Sequence, residues 1–208
     1  KNTQTKQYHA FKDWEQNKII QWIEYRLKQS QTTIEKEAVF ALEQQTTGSL
    51  EQCATEINTL LTYIHPKKHI TLQDIKLLSG NAKATTYQLT EELKTGHYAK
   101  IFNTTNTLMT NQEDPIRLLG LIIATYRLYY QILWLKSINK TDDQIAKQLR
   151  KNSYYIKIIS QKLNYTIKEC ANNLSILAKT DLTIKTGIMK PQLALSCAIQ
   201  QMNLTKTQ

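Results

Sequence analysis

Residues Pro115 to Leu135 read PIRLLGLIIATYRLYYQILWL, an apolar stretch that is nearly long enough to span a bilayer. Arg127 lies at its centre, where inserting a charged side chain costs about 2.5–3.5 kcal/mol, and Gln131 adds a second polar group. The three tyrosines lie within the stretch instead of at its two ends, where a membrane span carries them, and only the tryptophan stands next to an end. The pattern therefore favours a helix buried inside a bundle, and we expect no membrane partner.

The composition of the whole chain predicts an all-α fold. Among 208 residues only five are glycine and three are proline, while Gln, Lys, Leu, Ala and Glu, which favour helix, are abundant. Isoleucine and threonine, which favour strands, lie mostly at helical spacing or at helix caps. Asp114 before Pro115 is typical of a helix start, because Asp caps the helix and Pro fits its first turn.

The helical patterns divide the chain into two domains after a polar segment. Residues 1–12, KNTQTKQYHAFK, are interpreted as a linker from a missing upstream domain. Residues 13–80 are predicted to form a small domain of about four short helices, starting near Asp13, Thr33, Ser49 and Thr71, with glycine stops at Gly48 and Gly80. Residues 81–208 carry longer and more apolar helices, expected at about His97–Thr110, Asp114–Ser137, Asp142–Arg150, Ser153–Leu163, Thr166–Thr186 and Pro191–Met202.

Charge and cysteine content restrict the partners and the compartment. The formal charge is +10 and the pI is about 9.4, which permits contact with a polyanion. The lysines are spread along the chain, and this favours solvated surface charge over one functional patch. Cys53, Cys170 and Cys197 form no close pair and no metal-ligand spacing. At apolar helical positions they predict buried, reduced thiols in a cytoplasmic protein.

Catalytic patterns are missing from the sequence. His65 and His69 have the spacing of two metal ligands on a helix, but Pro66 between them predicts a loop. The chain has no glycine-rich phosphate loop followed by Lys-Ser/Thr and no serine in a nucleophile elbow. Adjacent carboxylates lie at helix starts or solvent faces, where the helix dipole accounts for them. We therefore expect no catalytic residue, no cofactor and no metal, and hence no enzyme.

Lys140 to Leu163, KTDDQIAKQLRKNSYYIKIISQKL, has the outline of a helix-turn-helix. A recognition helix needs a polar face that reaches base edges, whereas the second helix here is apolar over most of its circumference. Packing within a bundle is the favoured interpretation. The alternative is a helix-turn-helix DNA-binding regulator with a helical dimerisation domain.

Two further stretches carry local signals. In Gln45–Leu61, QTTGSLEQCATEINTLL, Ser49 with Gln52 forms a capping-box pattern before an apolar stripe, and Glu51 is the charge in the first turn. In Leu177–Leu195, LAKTDLTIKTGIMKPQLAL, Asp181 and Lys185 are spaced as an i, i+4 pair worth about 0.2–0.5 kcal/mol. Gly187 then predicts the helix stop, and Pro191 predicts the next helix start.

Taken in order, these stretches resemble the delta subunit of the bacterial DNA polymerase III clamp loader. The resemblance covers about Asp13 to Met202 and rests most on the glycine-led third helix and the Thr-Asp-x-x-x-Lys-x-Gly turn at 180–187. It implies a small AAA+-type helical lid domain at 13–80 and a helical collar (oligomerisation) domain at 81–208. It also implies an N-terminal ATPase-type domain, which this chain lacks.

The resemblance implies a non-catalytic subunit of the DNA polymerase holoenzyme that acts in DNA replication. Its partners would be the other clamp-loader subunits, of gamma/tau and delta prime type, bound through the collar. The sliding clamp would be bound only through the missing N-terminal domain, and primed DNA would be supported indirectly. The helices Asp114–Ser137, Thr166–Thr186 and Pro191–Met202 are candidates for the collar surface. Candidate collar or structural residues are Tyr126, Tyr130, Trp134, Asp181, Lys185 and Gly187.

Glu51 marks a departure from the ATP-binding members of such loaders, which the resemblance implies carry an arginine in this turn. A carboxylate about 4 Å from a phosphate costs about 4 kcal/mol at an effective dielectric of 20. Loss of nucleotide sensing is one interpretation, and a first-turn acid that suits the helix dipole is an equally open one. The corresponding region of an ATP-binding loader subunit is a third interpretation, which calls for an arginine that the chain does not place there.

Overall fold

The computed structural model describes residues 16–46, 49–78 and 86–206, and within them the predicted all-α fold is confirmed. Eleven helices and two strands of two residues each occupy these described ranges. The predicted linker at 1–12, the start at Asp13 and the glycine stops at Gly48 and Gly80 lie outside them. The chain divides into two compact units, with the boundary between Leu78 and Ser79.

The first unit contains four helices and a short pair of parallel strands among its described residues. The helices α1 to α4 span Gln16–Gln29, Lys36–Gln45, Leu50–Ile64 and Leu72–Leu78, and the strands β1 and β2 span Thr33–Ile34 and His69–Ile70. The expectation of a helix starting near Thr33 is wrong. Thr33 pairs with His69 and Ile34 with Ile70, and the helix begins at Lys36. This pairing joins residues far apart in the sequence, so local periodicity carries no sign of it.

The core of the first unit follows the predicted apolar stripes. On α1 the side chains of Ile19, Ile23 and Leu27 are buried. On α2 the side chains of Ala38, Val39 and Leu42 are buried. Of the apolar stripe on α3, Cys53, Ile57 and Leu60 are buried and Leu50, Ala54 and Leu61 are half-buried, so helical spacing located the inward faces and included their borders.

The second unit contains seven described helices. They are α5 (Thr86–Thr95), α6 (Tyr98–Thr110), α7 (Pro115–Ser137), α8 (Asp142–Leu149), α9 (Ser153–Lys162), α10 (Ile167–Lys185) and α11 (Pro191–Lys206). Six of them were predicted, with bounds that differ by one to four residues. Helix α5 was missed, although it buries Leu89 and Leu93 completely.

Helix α7 carries much of the core of the second unit. It packs against α5, α9, α10 and α11. By length and composition it could cross a bilayer, but Leu118, Ile122, Tyr126, Tyr129 and Ile132 are all buried within the unit. The predicted burial of this stretch inside a helical bundle is confirmed. The Asp114 side chain caps the helix by accepting a hydrogen bond from the Ile116 N–H at 2.9 Å.

Candidate functional site

The outer face of α7 leaves large apolar side chains in solvent. Trp134 is 47% exposed, and Ile116 and Ile138, at the two ends of the helix, are similarly open. Tyr130 is half-buried. Arg127, the charge that argued against a membrane span, lies on the exposed side of the helix. Trp134 and Ile138 lie about one helical turn apart on this face, and Ile116 lies at the other end of the helix.

Tyr126 lies in the core and not on that face. Its hydroxyl is 3.0 Å from the Tyr165 hydroxyl, and the two rings meet edge to face at 5.5 Å. The Tyr129 hydroxyl donates to the Thr90 carbonyl at 3.3 Å. Burial raises the pKa values of the Tyr126 and Tyr129 hydroxyls well above the usual range, so both remain protonated. Tyr126 thus joins α7 to the connection between α9 and α10.

The hairpin of α10 and α11 carries the most exposed apolar side chains of the second unit. Leu182 is 62% exposed on the last turns of α10, Ile188 is 75% exposed in the connection, and Leu193 is 56% exposed on the first turn of α11. Leu204, near the other end of α11, is 68% exposed. Three of these four lie within about one helical turn of the hairpin tip.

Gly187 shapes this tip. It adopts a φ of +71°, the left-handed region that favours glycine. The Gly187 N–H donates to the Ile184 carbonyl at 3.0 Å, and the Ile188 N–H donates to the Thr183 carbonyl at 3.1 Å. These two bonds form a Schellman motif, which ends α10 and directs Ile188 into solvent.

The Asp181 and Lys185 side chains pair on the surface of α10. Lys185 Nζ lies 2.7 Å from Asp181 Oδ2, and the lysine side chain is 71% exposed. An exposed pair of this kind contributes little to stability. The structure thus places both residues beside Leu182, and their role in a collar stays a prediction.

Sequence reasoning named Trp134 and the hairpin turn but missed six exposed apolar residues. They are Ile116, Ile138, Leu182, Ile188, Leu193 and Leu204. Each belongs to an apolar helical stripe or to its end, and such a stripe has the same sequence pattern whether it faces a core or a partner. Only the packing of the neighbouring helices distinguishes an apolar stripe that faces the core from one that is exposed on the surface.

The start of α3 is acidic and open. The Ser49 hydroxyl accepts the hydrogen bond from the Gln52 N–H at 3.4 Å, which confirms Ser49 as the cap. The Ser49 N–H donates to the Thr46 carbonyl at 2.9 Å and not to the Gln52 side chain, so the predicted capping box is only half formed. A depression of about 580 Å³ beside it is lined by Gln45, Thr46, Ser49, Glu51, Gln52, Thr55 and Glu56. Glu51 is exposed, and no lysine or arginine stands among these described lining residues. The described lining thus carries the two carboxylates Glu51 and Glu56 without a counter-charge among these residues.

The cysteines differ from one another in exposure. Cys53 is buried, and its sulfur lies 2.9 Å from the Thr46 hydroxyl. Cys170 is buried, and this burial raises the pKa of its thiol to about 12. The expectation of three buried thiols is wrong for Cys197, which is exposed on α11. Its neighbour Ala198 faces the core, so Cys197 points away from it.

No group of three His, Cys, Asp or Glu side chains that could hold a metal ion occurs within the described ranges. His69 lies in β2, where its Nδ1 is 2.7 Å from the Thr33 hydroxyl. His65 caps the end of α3. The two histidines therefore lie on different elements, as the intervening Pro66 suggested.

The α8–α9 pair has the outline of a helix-turn-helix, but α9 is packed into the bundle. Ile156 and Ile159 are completely buried, and Tyr154 and Tyr155 are half-buried. Thr141 and Gln144 form a reciprocal capping box at the start of α8. The turn between the helices passes through Arg150 in the left-handed conformation, with φ 53°.

A family model described as "DNA polymerase III delta subunit, C-terminal domain" matches residues 83–202. The chain belongs to this family. The matched residues take in α5 to α10 and most of α11, and they contain all the exposed apolar side chains of α7 and of the α10–α11 hairpin except Leu204. The resemblance to the delta subunit is thus confirmed, and a helix-turn-helix regulator is not favoured.

A curated sequence and a solved structure, both from Bacillus subtilis, extend the similarity beyond the matched domain. The DNA polymerase III subunit delta of strain 168 is 27% identical over 177 residues, covering 84% of this chain and 51% of that protein. The solved structure of the Bacillus subtilis DNA clamp loader delta protein (YqeN) has a TM-score of 0.65 at 24% identity, covering 90% of this chain and 56% of that one. The latter likeness shows the fold. The chain spans about half the length of the relatives it matches.

Proposed function

We infer that this chain is the lid and collar portion of a clamp-loader subunit, a non-catalytic scaffold that docks against the other loader subunits in DNA replication. The observation that carries the proposal is the location of its exposed apolar side chains. Among the ten large ones in the described chain, seven lie on α7, α10, α11 or their ends. These are the helices that the resemblance assigns to the collar.

The remaining roles follow from the family and the length of the chain. We assign residues 13–80 to the lid and 81–208 to the collar. We assign contact with the sliding clamp to the part of the relatives that this chain does not span. The collar then supports primed DNA only indirectly, by holding the loader subunits together. The bacterial relative is a DNA polymerase III subunit, which supports the cytoplasmic setting expected from the sequence.

At Glu51 we propose that the lid has kept its fold without a nucleotide-sensing role. The acidic lining beside α3 supports this proposal. The helix dipole also favours an acidic residue in the first turn, so Glu51 stabilises the start of α3. The loss of phosphate binding and the effect of the dipole are compatible explanations for Glu51, because a position that no longer binds phosphate can carry an acid that stabilises the helix.

A capture experiment with the other subunits of the loader tests the docking proposal. The double variant Leu182→Glu, Leu193→Glu is expected to weaken capture by tenfold or more. Burying each leucine in the interface would contribute about 1.5–3 kcal/mol to binding, whereas burying a glutamate carboxylate there would oppose binding. Both side chains are more than half exposed, so the thermal unfolding of the variant should match that of the parent.

The control variant Thr62→Glu, Gln73→Glu adds the same charge at exposed positions of α3 and α4. It should be captured as well as the parent chain. Two results would overturn the proposal: a folded parent chain that none of the loader subunits captures, or a hairpin variant that is captured undiminished.

A further inference from the structure

The α8–α9 segment concentrates positive charge that the docking surface does not use. Between Lys140 and Lys162 it carries six cations, Lys140, Lys147, Arg150, Lys151, Lys157 and Lys162, against the carboxylates Asp142 and Asp143. These 23 residues hold a net charge of +4 within a chain of net charge +10. The lysines of the chain as a whole are spread out, but this segment is enriched well beyond its length.

The two carboxylates of the segment are already engaged. Asp142 accepts from Lys136 Nζ at 2.7 Å and from the Ser160 hydroxyl at 3.1 Å. Asp143 accepts a hydrogen bond from the Ser153 hydroxyl. In the described ranges of the chain, Lys140, Lys147, Arg150 and Lys151 make no salt bridge. Lys140, Lys147 and Arg150 are exposed and Lys151 is half-buried, so their charge faces solvent.

The turn itself does not account for the charge of Arg150. Its backbone is left-handed, with φ 53° and ψ 40°. The other described non-glycine residues with positive φ are Gln31, Gln112 and Asn139, all neutral amides. The left-handed conformation is thus adopted with amide side chains elsewhere in the described chain, and it does not require the guanidinium of Arg150. Lys147 and Lys151 stand beside it, three residues before and one after.

The surroundings of these cations indicate the kind of ligand. From Asn139 to Asp181 none of the described large apolar side chains is exposed. Protein interfaces centre on buried apolar anchors and are depleted of charge at their core. Surface-bound membrane helices likewise carry an apolar face beside their cations. Positive charge without such anchors fits the phosphates of a nucleic acid, whose binding is dominated by charge.

We propose that Lys147, Arg150 and Lys151, at the corner between α8 and α9, bind the phosphodiester backbone of DNA without reading its sequence. On α9, Ile156 and Ile159 pack into the core and Tyr154 and Tyr155 are half-buried, so this helix offers few polar side chains to base edges. Lys140 adds to the same field. This contact is independent of subunit docking, because it uses none of the exposed apolar side chains of α7, α10 and α11.

The salt dependence of DNA binding by the whole chain tests the proposal. Fluorescence anisotropy with labelled mixed-sequence duplex and single-stranded DNA gives the slope of log K against log salt. The triple variant Lys147→Gln, Arg150→Gln, Lys151→Gln should reduce this slope by roughly 2–3 for duplex DNA, because each phosphate contact contributes about 0.9. For single-stranded DNA the triple variant should reduce the slope by less, because each phosphate contact then contributes about 0.7.

A matched variant controls for net charge. Lys28→Gln, Lys76→Gln, Lys100→Gln removes three exposed lysines elsewhere and should leave the slope close to that of the parent. A second test variant, Lys140→Glu with Lys147→Glu, changes two cations outside the turn. It tests the same surface if the triple variant unfolds. Capture by the loader subunits should be unchanged in all of them.

Several results would overturn the proposal. An equal reduction of the salt-dependence slope in the triple variant and the control variant would show that DNA binding depends only on the overall charge of the chain. A strong preference for one duplex sequence would indicate base reading. Binding to vesicles that contain phosphatidylserine, with no DNA binding by the parent chain, would identify a membrane surface as the ligand.

Discussion

At the residue scale, the left-handed turns show where a single side chain is constrained by the backbone. Gly187 has a φ of +71°, and a Cβ added there would meet no atom within 4 Å. The constraint at Gly187 is therefore backbone conformation and not space. Gly120 also has open space around it, but it lies on the exposed face of α7 with ordinary helical geometry.

These two glycines predict opposite effects of the same substitution. Gly187→Ala should lower the free energy of unfolding by about 1–2 kcal/mol, because a Cβ in the left-handed region clashes with the following carbonyl. Gly120→Ala should raise it by about 0.5–1 kcal/mol, because glycine inside a helix loses more backbone entropy than alanine. Urea unfolding of the parent and both variants measures the two changes. Equal signs would contradict the assignment of Gly187 to a Schellman turn.

The same scale shows what the sequence could reveal about the candidate site. The helix end marked by Asp181, Lys185 and Gly187 could be predicted from the sequence, because a helix end depends on neighbouring residues. The exposure of Leu182 and Ile188 could not be predicted, since the sequence does not show which residues cover an apolar side chain near a helix end. The buried position of Tyr126 and the half-exposed position of Trp134 on the same helix were equally indistinguishable before the packing was known.

At the element scale, Asp142 holds three helices in register. It stands in the first turn of α8, binds Lys136 on the last turn of α7, and accepts from Ser160 on α9. The hydrogen bond and charge of Lys136 lower the pKa of this carboxyl below its ordinary value of 3.8. Burial acts in the opposite direction but is outweighed.

Asp142→Asn should lower the free energy of unfolding by about 1 kcal/mol at neutral pH, through the lost ion pair and the lost charge at the start of α8. A lowered folded-state pKa means that the ionised carboxyl stabilises the fold fully above pH 3.8 and loses this effect as the pH falls through the folded-state pKa. The difference between parent and variant should therefore be constant above that pH and shrink below it. Urea unfolding at neutral and acidic pH measures the difference.

Asp181→Asn is the matched control for this prediction. It removes an exposed pair within one helix and should cost only about 0.2–0.5 kcal/mol. If the Asp142 variant loses no more than this control at neutral pH, Asp142 does not tie the helices together.

The elements that sequence patterns missed share a physical cause. The strands β1 and β2 are two residues long and pair across 36 positions of the chain, so their stabilising bonds are not local. Helix α5 holds Glu91, Glu92 and Lys94 in TYQLTEELKT, a polar segment with few apolar positions. Its burial depends on packing against α6, α7 and α9. The long apolar helices needed no such context, and their positions were predicted within a few residues.

At the scale of the whole molecule, the second unit has a continuous core of its own. Buried side chains from α5 to α11 form one cluster, which includes Leu89, Ile122, Tyr129, Leu177 and Met202. The family match at 83–202 falls inside this unit. We therefore expect residues 79–208 to fold without the first unit, with a helical circular dichroism spectrum and a cooperative thermal transition.

A shorter piece, residues 97–208, tests whether α5 belongs to that core. It removes the buried Leu89 and Leu93, the Thr90 carbonyl that accepts from Tyr129, and the Lys94 carbonyl that accepts from the Asn164 N–H at 3.2 Å. Each buried leucine contributes about 1.5–3 kcal/mol, against a total stability of about 5–15 kcal/mol for a domain. The shorter piece should lose a large part of its stability or its cooperative transition. Equal melting of the two pieces would mean that α5 only covers the bundle and that the collar begins at α6.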